Sequence, residues 1–226
     1  MLNPGQMQSA PTLFSPRLDI LAPPQRRLWG ELSQIPEGFT LYGGTAIALR
    51  LGHRQSADFD FFGDRPLEAN GLTFSIPLLA NAEVIQRAPN TLSCLVDRGG
   101  AVRLSFFGLP ALKRLRPPSL AEDNGLKVAS LLDLAGTKVS VVQMRAEAKD
   151  YFDIDALLLA GVDLPTALAC GGAIYGAQFN AQITLKALSY FDDGDLPGLP
   201  PAVKDRLTAA VVAVDLDRLP CIASDE

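Results

Sequence analysis

LYGGTAIALRLGHRQSADFDFF, residues Leu41 to Phe62, is the stretch whose reading decides the fold. Phe39–Tyr42 reads as a short apolar strand ended by Gly43 and Gly44. Thr45 then suits an N-cap, Ala46–Leu51 a brief helix, and Gly52 its terminator. Asp58–Phe62 resumes as a strand flanked by Gly63 and Asp64. Residues two apart on a strand point the same way, so Asp58 and Asp60 share one side of a sheet. Two carboxylates side by side repel unless a cation sits between them, and Mg²⁺ is a fitting one. A glycine pair before a helix start frees backbone N–H groups for an anion such as a triphosphate. A metal and a nucleotide held a few residues apart is the pattern of nucleotidyl transfer.

Working outward, residues 1–24 are rich in Pro, Ser and Gln and predict a loosely held arm. Pro23 and Pro24 lead into a helix over Gln25–Gln34, with Trp29 and Leu32 inward. Pro66–Pro89 is ambiguous, consistent with one helix and one strand. Thr91–Asp97 and Ala101–Phe107 read as strands of a hairpin around Arg98-Gly99-Gly100. The Pro-rich stretch after Gly108 marks a boundary near residues 110–125, dividing 25–115 from 120–226. Beyond it the pattern is helical. Ser130 with Asp133 resembles a capping arrangement for a helix reaching about Leu159. Pro165 opens another helix, Asn180–Tyr190 is an amphipathic piece, Asp192–Pro201 a linker, and Ala202–Asp215 the last helix. The fold class expected is α+β: a small mixed sheet followed by a mainly helical half.

Composition sets the outer limits. The 226 residues are 48% hydrophobic and 20% charged, ordinary for a globular protein with ample length for a core. A net charge of −5 argues against broad, charge-driven nucleic-acid binding, so a polynucleotide partner must meet a local basic patch. Cys94, Cys170 and Cys221 lie far apart with no metal-binding spacing, which argues against a zinc site or disulfide framework. The N-terminus lacks the basic start and apolar run of an export signal. The most apolar stretch, Leu157–Tyr175, is interrupted by Asp163 and Pro165. The expectation is a cytoplasmic protein that does not engage a membrane.

The remaining candidates are basic. Arg54 can brace a phosphate or pair with an aspartate, and Ser56 can cap the turn. His53, the sole histidine, reads as a partly exposed loop residue. Lys138, Arg145, Lys149 and Asp153 are spaced to form one stripe on a continuous helix. Lys138 and Arg145 there can neutralise a triphosphate, or belong to a solvated face. Lys113, Arg114 and Arg116 form a basic cluster that either contacts RNA phosphates or is a solvated loop.

These motifs together resemble the AbiEii/AbiGii toxin family of nucleotidyltransferases. The matching pieces are Gly43-Gly44-Thr45-Ala46, Leu51-Gly52-His53-Arg54, Ser56, Asp58 and Asp60, followed by Lys138, Arg145, Lys149-Asp150 and Asp153. Lys186–Asp192 adds a late landmark, and the similarity runs from about residue 25 to 215. The resemblance implies a polymerase-β-like nucleotidyltransferase core over 25–115 and a helical C-terminal domain over 120–226. It implies Mg²⁺-dependent transfer of an NMP from an NTP to an acceptor hydroxyl, by a toxin with a cognate antitoxin; some such members modify tRNA 3′ ends. Carried over, Gly43, Gly44 and Thr45 hold the triphosphate and Asp58 and Asp60 the metal. Lys138 supports the phosphates, and Asp150 or Asp153 orients the basic side chains. One departure stands out. Such transferases usually carry a third carboxylate on a later strand, and Val102–Phe107 carries none, with Ser105 in its place. That leaves two alternatives: a catalytically weakened relative that binds nucleotide or a protein partner, and a transferase acting on a small-molecule acceptor.

Overall fold

The computed structural model describes residues 11–68, 71–72 and 75–223. One eight-stranded mixed sheet forms the frame, in the order β1-β7-β8-β2-β3-β6-β5-β4. The strands are β1 (Leu13–Phe14), β2 (Phe39–Tyr42), β3 (Asp58–Gly63), β4 (Glu83–Ala88), β5 (Thr91–Asp97), β6 (Ala101–Gly108), β7 (Ser119–Ala121) and β8 (Lys127–Val128). β2 runs antiparallel to β3, β3 parallel to β6, and β6 antiparallel to β5. The hairpin around Arg98–Gly100 is the β5–β6 pair, as its alternation predicts. The fold is α+β.

Strand β3 shows how sequence becomes a two-faced surface. Phe59 and Phe61 are fully buried, while Asp58 is exposed and Asp60 and Phe62 half-buried. The alternation follows from the pleat, which sends successive side chains to opposite faces. On the inner face Phe61 stacks on Phe106 of β6, centroids 5.2 Å apart, and Trp29 tilts over Phe59. Phe61→Ala in this core would cost about 3–5 kcal/mol. The outer face is left for chemistry.

Helices α1 (Pro23–Trp29) and α2 (Gly43–Leu51) belong to the first half. The later helices are α3 (Leu131–Val141), α4 (Ala148–Leu159), α5 (Leu164–Tyr175), α6 (Ala181–Ala187) and α7 (Pro201–Val212). Gly52 closes α2 in the left-handed conformation, φ +68°, as expected of a terminal glycine. Asp163 and Asn180 cap α5 and α6 by accepting from Thr166 N and Gln182 N.

Three expectations are corrected. Residues 1–10 lie outside the described residues, but 11–24 are not a loose arm. β1 pairs with β7, Arg17 N donates to Leu49 O, and Ile20 and Leu21 are buried in the core. Apolar burial outweighs the Pro and Ser content. Second, α2 begins at Gly43 with Tyr42 at its N-cap and no side-chain cap, so Thr45 is not the capping residue. Third, the helix expected from Ser130 to about Leu159 is two helices, α3 and α4, with a break at 142–147. Asp195 Oδ1 accepts from Ala148 N at 2.6 Å and starts α4 afresh. No local breaker announces this; the cap comes from a distant loop. β7 lies within the expected boundary stretch and β8 beyond it, yet both extend the same sheet, and buried side chains from both halves share one core. No single helix among the described residues is long and apolar enough to cross a membrane.

Candidate active site

The outer face of β3 and β6 floors a cleft of about 750 Å³. Asp58 and Asp60 line it from β3, with Arg103 and Ser105 beside them from β6. The parallel register puts Asp58 opposite Arg103 and Asp60 opposite Ser105. Gly43 and Gly44, at the N-terminus of α2, form one wall; Lys138 of α3 and Arg145 and Asp150 around the α4 start form another.

Both glycines are required by close approach. Gly43 has φ +74°, and a Cβ on it would stand 2.9 Å from Asp60 Oδ2. A Cβ on Gly44 would collide with the Arg54 guanidinium and lie 3.1 Å from Asp153 Oδ2. Without a side-chain cap, the first turn of α2 presents its unpaired N–H groups and positive dipole end at the cleft. Thr45 is different. It is buried, its hydroxyl donates to Asp58 O and is bonded to Ser56 Oγ at 2.7 Å. That hydroxyl ties the helix to the start of β3 and does not line the cleft, a correction to its expected contact with phosphates. Ser56 does line it.

Behind the glycines lies a buried ionic cluster. Arg54 grips Asp153 with two bonds, Nε to Oδ1 at 2.7 Å and Nη2 to Oδ2 at 2.9 Å. His53 lies in the loop after α2, half-buried, and its Nε2 sits 2.7 Å from Asp153 Oδ1, a partner that the sequence did not show. Lys138 Nζ lies 2.8 Å from both Asp150 Oδ1 and Asp153 Oδ2. Arg145 Nε bonds Asp150 Oδ2 at 2.8 Å. Lys149 pairs with Glu147 on the rim, 2.7 Å away. The stripe expected on one helix face is thus delivered from two helices and the break between them. Arg145 reaches Asp150 because the chain turns there.

Burial would push the Asp153 carboxyl up, but the His53 hydrogen bond, Lys138 and Arg54 outweigh it and hold it well below the usual range. Asp150 is likewise lowered, with Arg145 and Lys138 overcoming burial. Asp60 behaves oppositely. Burial, then the charge of Asp58, raise its pKa, while Lys138 and a Ser105 hydrogen bond only temper the rise. Arg54, Lys138 and Arg145 are thus held beside the glycine turn by Asp150 and Asp153, with Glu147 also 3.5 Å from Arg145.

Arg103 was not singled out by the motifs. It lies exposed in the cleft with no hydrogen-bond or ion-pair partner among the described residues. The alternation of β6, which aligns Arg103, Ser105 and Phe107 on one face, is the signal that could have found it. The Lys113–Arg116 cluster is not one patch: Leu115 between its members is buried, Arg116 bonds Ala223 O, and Lys113 stays exposed.

This geometry has relatives. Residues 27–210 match the family described as nucleotidyl transferase AbiEii toxin, type IV toxin–antitoxin system. The chain belongs to the AbiEii family. It is a nucleotidyltransferase of a toxin–antitoxin class, and membership implies a nucleotide substrate and an antitoxin partner. An uncharacterized protein of Aquifex aeolicus is 31% identical over 158 residues, covering 69% of this chain and 74% of its own. Among solved structures, the nucleotidyltransferase toxin MenT4 of Mycobacterium tuberculosis shares the fold with a TM-score of 0.56 at 15% identity, covering 85% of this chain and 83% of its own. A nucleotidyltransferase-like protein of Paracoccidioides brasiliensis does so at 0.54 and 16% identity, covering 90% of this chain and 95% of its own.

Proposed function

We propose that this AbiEii-family chain transfers an NMP from an NTP to an acceptor hydroxyl in a Mg²⁺-dependent reaction, with the 3′ end of an RNA such as tRNA as acceptor. The observation that carries the reading is that Asp58 and Asp60, on one face of β3, open onto the same cleft as the uncapped glycine start of α2. The donor set fits a hard divalent cation: two carboxylate groups side by side, one with its pKa raised by burial and then by the other's charge, supply oxygen ligands and surplus negative charge. Asp58 and Asp60 would hold the ion. When bound, Mg²⁺ supplies charge neutralisation at the reacting phosphoryl group.

This chain's own residues account for the rest. The N–H groups of Gly43 and Gly44 and the Ser56 hydroxyl receive the triphosphate oxygens at a helix N-terminus. Lys138, Arg145 and Arg54 offset the phosphate charge, held in place by Asp150 and Asp153. Lys149 guards the rim. The acceptor oxygen forms a bond to the α-phosphorus as the bond to pyrophosphate breaks, and the acceptor proton leaves to solvent. Ser105 cannot serve as a base at neutral pH, so the β6 position opposite Asp60 does not take that proton.

The test incubates the protein with each labelled NTP, with total tRNA or with a small-molecule extract, plus and minus Mg²⁺. Labelled RNA from wild type, absent for Asp58→Ala and Asp60→Ala, is the expected result, with loss of growth inhibition in both variants. Unchanged toxicity and transfer in those variants would remove the metal assignment. Label in the extract but not in tRNA would favour the small-molecule reading, which the chain's net charge of −5 supports and its family likeness places second.

A further inference from the structure

The cleft floor changes character rung by rung. Facing pairs on β3 and β6 run Asp58 with Arg103, Asp60 with Ser105, and Phe62 with Phe107. Successive rungs are about 7 Å apart along the strands, so an aromatic rung follows one nucleotide-sized step after the acids. Phe62 is held between neighbours on the same face of the sheet: it stacks on Tyr42 of β2 with centroids 4.5 Å apart and planes 12° from parallel, and the Phe107 ring of β6 stands perpendicular to it at 5.6 Å. Both phenylalanines are only half-buried.

A second cavity of about 590 Å³ begins at this rung and shares Phe62 and Leu109 with the cleft. Leu112, Ile174 and Tyr175 give it apolar walls. No carboxylate is among the described residues lining it, although the chain as a whole is acidic. Lys113 lines it too, exposed and with no hydrogen-bond or ion-pair partner among the described residues.

We propose that the Phe62–Phe107 rung and this second cavity form the subsite for the terminal unpaired nucleotides of a single-stranded RNA acceptor, with a base packed on the exposed part of that aromatic rung and a phosphodiester at Lys113. This rests on the nucleotidyl-transfer reading above. The glycine turn and the Arg54–Lys138–Arg145 cations serve the donor triphosphate at the first two rungs, so the cavity beyond the third rung is left for a second nucleotide. Aromatic faces with an adjoining unneutralised cation are what single strands use, since every base has a π-face and every linkage a negative charge. A small acceptor needs neither the second cavity nor Lys113. The local patch also answers the global charge of −5, because attraction is confined to where the strand end must lie.

A short single-stranded oligoribonucleotide ending in 2-aminopurine tests this without catalysis, its fluorescence falling when the base stacks. Wild type should bind and quench it. Phe62→Leu, which keeps the apolar volume, should bind roughly 5- to 150-fold more weakly and lose the quench, and Phe62→Trp should restore both. Lys113→Ala should flatten the salt dependence of log K by about 0.7. Affinity for a fluorescent NTP analogue should be unchanged in Phe62→Leu and Lys113→Ala. If the oligonucleotide binds and quenches equally in every variant, the subsite is wrong while the acceptor reading stands. If Phe62→Leu weakens the NTP analogue instead, the ring belongs to the donor base and the proposal fails. If wild type binds no oligonucleotide, the RNA-acceptor reading fails and takes the subsite with it.

Discussion

Asp60 and Ser105 stand directly opposite each other on adjacent parallel strands, and the serine side chain is among the groups that temper the rise in the Asp60 pKa. Ser105 bonds in turn to Ser93 across the β5–β6 pair, Oγ to Oγ 3.2 Å, both side chains being buried. A hydroxyl at this position therefore acts on Asp60 rather than replacing a carboxylate. Because the Ser105 hydroxyl favours the ionised form, Ser105→Ala should raise the Asp60 pKa further. If ionised Asp60 is needed for transfer, the acid limb of the pH–rate profile moves to higher pH. A profile superimposable on wild type would disconnect Ser105 from the reaction.

Asp60 also sets a stability prediction. A carboxyl whose folded pKa lies above its unfolded value weakens the folded state at neutral pH, where it must be charged. Asp60→Asn should therefore raise the Tm of the metal-free protein while abolishing transfer. Added Mg²⁺ should raise the Tm of wild type and leave that of the variant unmoved. Thermal scans with and without the ion decide it; a lower Tm for Asp60→Asn would contradict the assigned strain.

The cluster on Asp153 should behave in the opposite sense. Asp153→Asn leaves Arg54 without its charge partner and Lys138 with Asp150 alone in a buried site, and should cost about 3–5 kcal/mol of folding stability. For wild type, depressed folded pKa values at Asp150 and Asp153 contribute stability that is present above the unfolded value, about 3.9, and lost as pH falls through the folded ones. Urea midpoints should hold steady from about pH 7 to 5 and drop below about pH 4. The Asp153→Asn variant, already weaker at pH 7, should show a shallower acid decline; an identical decline would place the acid sensitivity elsewhere.

Gly44→Ala tests the packing of the turn itself. Its methyl would collide with the Arg54 guanidinium, so the bidentate grip on Asp153 must open. The expected outcome is a loss of transfer with a fall in Tm. Asp195→Ala removes the cap that starts α4 and should cost about 0.5–2 kcal/mol. Guanidinium unfolding curves measure both.

Local patterns carried much of this molecule. The alternation of Asp58–Phe62, the hairpin turn at Arg98–Gly100, the terminator Gly52 and the helix start at Pro165 act through covalent neighbours, and they read correctly in one dimension. The ordered spacing of the glycine pair, the two acids and Lys138 likewise pointed to the family. What the linear pattern could not hold is every feature made by contact across distance. His53 and Arg54 meet Asp153 about a hundred residues away, Asp195 breaks a helix it does not belong to, and Arg103 earns its position only through strand register. Backbone preference is set by adjacent residues, but charge pairing, capping by a distant loop and the shape of a cleft depend on which segments pack together. Only the tertiary structure decides that.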